Sequence, residues 1–381
     1  MARIGLGEWL AVTRALGGGN LLRYGDGAHW TEDFERRFAH DFGVRHVLTV
    51  NSGTSALIAA MAACGLGPGD EVLVPAYTWI ATPAAAVAVG AVPVLVDIDE
   101  SLTIDLHDIE RKITPYTRAI VPVHMANAPC DMAAILAIAK KRNLIVIEDA
   151  CQAVGVRYKD NYCGAMGDAG AYSFNAHKNI NIGEGGAFVT NDDRLFARAR
   201  NYHDVGVYVR GHTDRYNEPD FVGMNMRVTE LDGALLGVQL TKLGPMMAAL
   251  RKRRVAFARE LEISSRFKIS PHHDPSNAVT LTVIFDDAED AIAFSQHPRV
   301  TRLYDNSKHV YTNWHSILNK RTFHPDMNPW KWARREIVYS DDMCQRTLDI
   351  LGRTCRIALG GRLPPQLAGL VARRLARWAE R

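Results

Sequence analysis

The feature that most constrains this chain is a regular alternation of short Val/Ile/Leu-rich runs with longer segments of helical pattern. The apolar runs are HVLTV, EVLVPA, VPVLVDI, AIVPVHM, LIVIEDA, GAYSF and GAFVTN, and segments such as SALIAAMAACGLG and DMAAILAIAKKRN separate them. Strands that alternate with helices predict a mainly parallel sheet with helices on both faces. Ligands of such sheets bind beyond the carboxyl ends of the strands. The residues that follow the apolar runs are therefore the first candidates for a functional site.

Two of these strand ends carry a carboxylate and a lysine. Asp149 closes the run LIVIED, and Lys178 follows GAYSF and precedes the glycine-rich turn GEGG. Pyridoxal phosphate is held as a Schiff base on a lysine, and a carboxylate keeps its pyridine nitrogen protonated. Alone, these residues would be read as a surface lysine and a strand-end aspartate. Together they predict a pyridoxal phosphate site in which Lys178 and Asp149 are the catalytic pair.

A second group of residues suits the phosphate and the ring of such a cofactor. The stretch NSGTSAL lies between HVLTV and a helical pattern, and the free N–H groups at a helix start attract an anion. Gly53, Thr54 and Ser55 are the predicted phosphate contacts, although Ser and Thr are also ordinary N-caps. Trp79 follows the run EVLV and is predicted to stack on the pyridine ring. A buried structural tryptophan is the alternative.

The order and spacing of the motifs resemble the DegT/StrS family of sugar aminotransferases, which are pyridoxal phosphate enzymes of fold type I. The matching segments are NSGTSAL, GPGDEVLVPAYTWIAT, GAVPVLVDID, IVPVHMANAPCDM, IVIEDACQAVG, GDAGAYSFNAHKNINIGEGGAFVTND and GMNMRVTELDGALLGVQL. They run from about residue 30 to residue 245, and the C-terminal third matches less clearly. The resemblance implies a fold type I transferase with a mainly parallel central sheet and a smaller C-terminal α+β domain. We place the large domain in residues 1–245 and the small domain in residues 246–381.

The resemblance implies further cofactor contacts. Gln152 matches the position that reaches the phenolic oxygen of the cofactor, and Ser173 matches a phosphate contact. Asn225 and Arg227, in GMNMRVTE, match a family segment that reaches the phosphate site of a neighbouring subunit. This match implies a homodimer with shared active sites. Without it, Asn225 would be a loop asparagine and Arg227 a surface arginine at a helix start.

The predicted substrate contacts are His177, Lys308, His309 and Tyr311. His177 precedes the candidate lysine, and it is expected to pack or to face the substrate rather than to act as a second base. The other three lie in KHVYTNWHSILNK. Aromatic rings with lysine and histidine suit sugar hydroxyls or a phosphate, but they also suit a plain domain interface. His124 ends the run IVPVHM and is either close to the cofactor or a strand-end histidine with satisfied hydrogen bonds.

Composition narrows the class of protein. The chain has 381 residues and a net charge of +3, so its charge balance does not call for nucleic acid. No apolar run reaches the roughly 18 residues of a membrane span, and the N-terminus lacks the pattern of a signal peptide. The six cysteines show no CxxC spacing, which favours free thiols and a cytoplasmic location. Metal-ligand spacing and the dinucleotide motif GxGxxG are absent from the sequence, so we expect neither a metal nor a nicotinamide cofactor.

The cofactor and the resemblance together predict an aminotransferase. An amino acid, L-glutamate or L-glutamine, would convert the cofactor to its amine form, pyridoxamine phosphate. The keto group of a sugar, a nucleotide-linked sugar or a cyclitol would then take the nitrogen in a ping-pong cycle. Two alternatives stay open, a pyridoxal phosphate-dependent sugar dehydratase and a non-catalytic regulatory relative on the same fold. Lys178 argues against both, because related dehydratases carry a histidine in its place and a silent protein has no need of the lysine.

Overall fold

The computed structural model describes residues 4–25, 27, 29–206, 219, 221–360 and 363–380. Within these ranges the helices are α1 Leu6–Gly17, α2 Trp30–Phe42, α3 Gly53–Ala63, α4 Ala81–Ala88, α5 Leu106–Lys112, α6 Met132–Arg142, α7 Asp193–His203, α8 Glu230–Leu261, α9 Ala288–Ser295, α10 His315–Leu318, α11 Gln345–Arg353 and α12 Ala368–Ala379. None of these described helices combines the length and the apolar character needed to cross a membrane.

The strands in the same ranges form a large sheet, a small sheet and a short hairpin. They are β1 His46–Val50, β2 Glu71–Pro75, β3 Val92–Val96, β4 Thr117–Ile120, β5 Ile145–Asp149, β6 Arg157–Tyr158, β7 Asn161–Tyr162, β8 Ala169–Ser173, β9 Gly186–Thr190, β10 Phe267–Ile269, β11 Thr282–Phe285, β12 Val300–Arg302 and β13 Thr354–Ile357. Between β12 and α10 the chain makes successive 3-10 turns at Leu303–Asp305, Ser307–His309 and Tyr311–Asn313.

The seven apolar runs of the sequence all become strands of the large sheet. Its strand order is β1-β9-β8-β5-β4-β2-β3. Five neighbouring strands of this sheet run parallel to one another, namely β3, β2, β4, β5 and β8. Strand β9 runs antiparallel to both β8 and β1. The predicted mainly parallel sheet is thus confirmed. Because β2, β5 and β8 end at the same edge, the residues that follow them are brought together there.

Helices cover both faces of this sheet, as the sequence pattern predicts. On one face, an apolar cluster joins α2, α6 and α8 through side chains such as Phe38, Ile135 and Leu236. On the other face, α3 and α4 contribute Leu57 and Ala85 to a second cluster. Strands buried on two faces must be apolar along their whole length. This requirement explains the continuous Val/Ile/Leu runs in place of an alternating pattern.

The C-terminal part adds the smaller α+β unit that the fold class implies. Its antiparallel sheet has the order β10-β11-β13-β12, and Phe257, Val283 and Leu375 join that sheet to α8 and α12 in a separate core. Helix α8 runs across the predicted boundary at residues 245 and 246. Tyr311 and Trp314 follow this boundary in the sequence, but their side chains belong to the apolar cluster that covers the large sheet. The domain limits therefore stay a prediction.

Candidate active site

The ends of β2, β5 and β8 open into a cavity of about 650 Å³. Segments that are distant in sequence form its wall, because the parallel strands deliver their following loops to one edge of the sheet. The lining includes the start of α3, the residues after β2, the end of β5, the loop after β8, and three positions of the C-terminal unit. The sequence-predicted residues that line it are Gly53, Thr54, Trp79, Asp149, Gln152, Ser173, His177, Lys178 and His309.

Asp149 is the last residue of β5, and only 4% of it is exposed. The hydroxyl of Thr82 donates a hydrogen bond to Oδ2 at 2.7 Å, and the backbone N–H of Cys151 donates to Oδ1 at 3.1 Å. One donor on each oxygen fixes the orientation of the carboxylate. Each oxygen keeps capacity to accept a further bond, so the group can receive an N–H from a ligand in the cavity.

Lys178 lies in the loop between β8 and β9, and Asn175 gives that loop its shape. The backbone oxygen of Asn175 accepts from the N–H of Lys178 at 2.9 Å. Its side-chain Oδ1 accepts from the N–H of His177 at 3.1 Å, and its Nδ2 donates to Glu184 at 2.8 Å. Among the residues that the structure describes, no hydrogen bond or ion pair holds the Nζ of Lys178. The loop is thus fixed while its amine stays available to a ligand.

The start of α3 forms the third side of the cavity. Ser52 caps the helix, because its Oγ accepts from the N–H of Ser55 at 3.0 Å, and the hydroxyl of Ser55 donates to Asn51 at 2.6 Å. Ser55 is thus engaged in the cap and does not line the cavity, whereas Gly53 and Thr54 do. The free N–H groups of the first turn give this end of the cavity a preference for anions.

Close packing explains why glycine stands at position 53. A Cβ there would lie 2.7 Å from Cβ of Ser173 and 2.8 Å from Sγ of Cys151. Ser173 ends β8, and Cys151 follows β5. The glycine therefore allows the helix start to approach the ends of both strands.

The rings of Trp79 and His309 contact each other at the wall of the cavity. Their ring centroids are 5.0 Å apart at an angle of 55°, and 43% of Trp79 is exposed. The alternative of a buried structural tryptophan is therefore wrong. Nδ1 of His309 donates to the backbone oxygen of Asn306 at 3.2 Å. Burial, together with the positive charges of Lys178 and Arg356, lowers the pKa of His309 to about 4. The ring is neutral at physiological pH, and its Nε2 is an acceptor.

Arg356 is the main wall residue that sequence reasoning missed. It belongs to β13 in the C-terminal sheet and lines the cavity. Within the described ranges, its guanidinium has no hydrogen bond or ion pair to a protein group. The available signal was a single arginine inside the apolar strand TCRIALG. Thr82, the partner of Asp149, was also missed, although it ends the segment GPGDEVLVPAYTWIAT.

Two of the predicted substrate contacts are not brought to the cavity wall. Tyr311 is 0% exposed, and its hydroxyl donates to the backbone oxygen of Asp341 at 2.5 Å. The side chain of Lys308 is exposed, and its backbone oxygen accepts from the indole N–H of Trp314 at 2.7 Å. For Tyr311 this placement corrects the expectation, because a fully packed ring behind the wall does not reach a ligand. Of this segment, His309 lines the cavity and the other two do not.

Asn225 and Arg227 lie beside the start of α3 but not in the cavity of the same chain. The backbone oxygen of Met226, between them, accepts from the N–H of Asn51 at 3.0 Å. Arg227 forms an ion pair with Asp204, and Asn225 is exposed. Both residues thus flank the contact to Asn51, and neither lines the cavity of its own chain.

Comparisons with known proteins agree with this architecture. The sequence model of the DegT/DnrJ/EryC1/StrS aminotransferase family matches residues 6–318. The chain is 43% identical over 226 residues to a GDP-perosamine synthase of Caulobacter vibrioides, which covers 59% of this chain and 60% of that protein. It is 39% identical over 242 residues to a GDP-perosamine synthase of Escherichia coli O157:H7, which covers 63% and 65%. The matched stretch thus spans less than two thirds of each relative.

A solved structure matches nearly the whole chain. The crystal structure of 3-amino-5-hydroxybenzoic acid synthase superposes with a TM-score of 0.81 and 26% identity, over 99% of this chain and 97% of the other. The fold and the family that the motifs imply are confirmed by these matches. The chain belongs to the DegT/DnrJ/EryC1/StrS aminotransferase family.

Proposed function

We propose that the protein is a pyridoxal phosphate-dependent aminotransferase that moves an amino group from L-glutamate or L-glutamine to the keto group of a sugar. The observation that carries this proposal is the convergence of Lys178, Asp149 and the start of α3 on one cavity. The two relatives are named as synthases of a GDP-linked amino sugar, which supports a nucleotide-linked sugar as the acceptor. A free sugar and a cyclitol are the other acceptors to be tested.

The residues present fit the cofactor. Its phosphate suits the start of α3, where Gly53, Thr54 and Ser173 line the cavity and Gly53 lets the helix start approach the strand ends closely. Asp149 offers a fixed, buried acceptor for the protonated ring nitrogen. Bound pyridoxal phosphate would supply an electron sink for breaking the C–H bond beside the transferred nitrogen.

The protein groups then have separate tasks. Lys178 would hold the cofactor and carry the proton to and from the substrate carbon, a task that suits an amine without a fixed protein partner. Asp149 would hold the ring nitrogen in its protonated form. Gln152 and Trp79 line the same cavity and would fix the ring from its edge and its face.

Recognition of the amino donor falls to the C-terminal unit in this proposal. A guanidinium binds a carboxylate through two parallel hydrogen bonds, and Arg356 presents such a group to the cavity. His309 is neutral because of its lowered pKa, so it suits a hydroxyl of the acceptor better than an anion. Arg356→Gln should raise the KM for glutamate by about tenfold or more, equal to at least ~1.4 kcal/mol of binding energy. A normal KM would remove Arg356 from donor binding.

The homodimer with shared sites is part of the proposal. Asn225 and Arg227 lie next to the helix start but outside the cavity of their own chain, as expected of residues that serve a neighbour. Large apolar side chains are exposed among the described residues, for example Leu6, Trp9 and Val222. Exposed apolar surface of this kind is typical of an interface between subunits.

The cytoplasmic location also stays a prediction. The six cysteines all lie within the described residues and are all free thiols, which is compatible with that location.

The two alternative functions are less well supported. A histidine-type dehydratase needs a different residue at position 178, and a regulatory relative needs no available lysine amine in the cavity. The relatives with the highest identities reported above are named as synthases of an amino sugar. Transfer of an amino group is therefore the reaction that the site supports best.

The decisive experiment locates the cofactor and then the reaction. The purified protein should be yellow, borohydride should fix the cofactor on the peptide that contains Lys178, and glutamate should bleach the visible band. Lys178→Ala should lose turnover by several orders of magnitude, whereas Lys308→Ala, an exposed lysine outside the wall, should behave as the wild type. Mass spectrometry of reactions with GDP-linked keto sugars, free keto sugars and keto cyclitols then identifies the acceptor. A label on another lysine would overturn the assignment.

A further inference from the structure

A fully buried pair of polar side chains includes the residue that precedes Asp149 on β5. Glu148 on β5 and His124 are both 0% exposed, and Nε2 of His124 lies 2.9 Å from Oε2 of Glu148. Neither residue lines the cavity within the described part of the chain. The sequence left open whether His124 is close to the cofactor, and the structure instead gives it a buried, hydrogen-bonded position. Burying a carboxylate is costly unless donors surround it, so the pair calls for an explanation.

Glu148 collects four donors on one carboxylate. The backbone N–H groups of Met166 and Gly167 each donate to Oε1 at 2.6 Å. The N–H of Gly164 donates to Oε2 at 2.8 Å, beside the bond from His124. The acceptor capacity of the carboxylate is thus filled. It fastens the turn that leads into β8 onto β5.

The hydrogen bonds of His124 fix which of its ring nitrogens carries the proton. The N–H of Cys130 donates to Nδ1 at 3.1 Å, so Nδ1 is an acceptor and the proton is on Nε2, from which it reaches Glu148. The backbone N–H of the same histidine donates to the backbone oxygen of Asp149 at 3.0 Å. His124 therefore holds Asp149 through its main chain and Glu148 through its side chain.

Strand geometry couples the two neighbouring carboxylates. Successive side chains of a strand point to opposite faces, so Glu148 and Asp149 share one peptide plane while they serve different surroundings. A rotation or shift of Glu148 must move the peptide group from which Asp149 starts. A displacement of about 1 Å at a catalytic group is enough to cost a large factor in rate.

We infer that the Glu148–His124 pair is a positioning unit, which fixes the end of β5 so that the carboxylate of Asp149 meets the ring nitrogen of the cofactor. The inference rests on the proposed function of Asp149. Neither residue of the pair touches a ligand, and both act through Asp149.

The chain offers a matched control for this role. Glu71 is also a buried carboxylate on a parallel strand, and it is bound by Arg335 and by the hydroxyl of Thr114. It begins β2, so it lies at the sheet edge opposite the cavity. Glu71→Gln and Glu148→Gln each remove the charge of one buried carboxylate on a parallel strand, and they differ in their distance from Asp149.

The test combines the cofactor-free protein with the reconstituted enzyme. Glu148→Gln should increase amide hydrogen exchange in residues 147–152 of the cofactor-free protein. In the reconstituted enzyme it should raise the Kd of pyridoxal phosphate by about tenfold or more and shift the pH midpoint of the visible absorption band. Glu71→Gln, measured at the same interval below its own melting temperature, should leave three quantities unchanged: the amide exchange of residues 147–152, the Kd of pyridoxal phosphate and the pH midpoint of the absorption band.

A second pair of variants keeps the test decisive if Glu148→Gln does not fold. His124→Gln retains a donor that can reach Glu148, and His124→Leu removes it, so the first should keep the larger part of the cofactor affinity. Equal losses in both variants, or a Glu148→Gln protein with wild-type exchange and Kd, would overturn the inference. The exchange experiment shows whether the pair fixes the end of β5 even if the wild type binds no pyridoxal phosphate, a result that would defeat the proposed function and, with it, the role of the pair towards the cofactor.

Discussion

Replacing Gly53 with alanine tests whether the close approach of α3 to the strand ends builds the phosphate site. The added Cβ would lie 2.7 Å from Cβ of Ser173 and 2.8 Å from Sγ of Cys151. Ordinary contacts between such atoms begin near about 3.5 Å, so one side must yield by roughly 0.8 Å. Cβ of Ser173 is held because Ser173 pairs with Gly186 in the sheet, whereas Sγ of Cys151 can yield only by rotation of its side chain. The start of the helix is therefore the part that moves.

The magnitude follows from two opposed effects. Alanine favours a helix over glycine by up to about 1 kcal/mol, whereas forcing a methyl group into a packed site costs about 1–3 kcal/mol. We expect a net loss of unfolding free energy of roughly 1–2 kcal/mol for Gly53→Ala. Gly352→Ala in α11 is the control, since nothing lies within 4 Å of its added Cβ. It should leave stability equal or raise it.

Urea unfolding of the cofactor-free protein measures the first effect, and titration with pyridoxal phosphate measures the second. Because the helix start would move by nearly 1 Å, cofactor affinity should fall and turnover should drop by up to about a hundredfold. Adding Cys151→Ala to Gly53→Ala removes one of the two contacts and should restore part of both losses. If Gly53→Ala keeps wild-type stability and cofactor affinity, the argument from close packing is wrong.

Three further predictions concern the carboxylate of Asp149, the buried imidazole of His272 and the sharing of active sites between subunits. Asp149→Asn should keep the fold and lower turnover by at least about a hundredfold, measured in single-turnover reactions with glutamate, because the amide cannot hold the ring nitrogen protonated. Burial, with the charge of Arg254, lowers the pKa of His272 to about 4. The neutral ring of His272 therefore contributes stability above pH 6.5, and this contribution is lost as the pH falls towards 4. The melting temperature of His272→Gln should depend less on pH between 6.5 and 4 than that of the wild type. Inactive Lys178→Ala and Arg227→Glu subunits, mixed and allowed to exchange, should recover up to about a quarter of wild-type activity if sites are shared, and no recovery in exchanging mixtures would count against sharing.

The sequence was sufficient for the strands of the large sheet and for many of the residues that line the cavity. In a parallel sheet buried on both faces, apolar runs and strand ends are visible in the chain itself, so Asp149 and Lys178 could be found without a structure. Arg356 could not be found in the same way. It lies in a second sheet, and only the packing of the C-terminal unit against the large sheet brings it to the cavity.

The segment after β12 shows a different limit of sequence reasoning. Lys, His and aromatic residues suit a sugar pocket and a protein interior equally well. Here 3-10 turns, with three residues per turn, bring Tyr311 and Trp314 to the same side. The hydroxyl and the indole N–H both find backbone oxygens, which makes their burial affordable. His309, two residues before Tyr311, points to the cavity instead.

The adjacent carboxylates Glu148 and Asp149 show how the sheet separates support from chemistry. A parallel strand buried on both faces gives each residue its own surroundings, so two carboxylates can follow each other with different donors. Glu148 is saturated by four N–H groups of the protein and has no capacity left for a ligand. Asp149 receives a single donor on each oxygen and opens to the cavity. The number of donors on each carboxylate, rather than its burial, therefore distinguishes the residue that can bind a cofactor from the one that can only hold the strand.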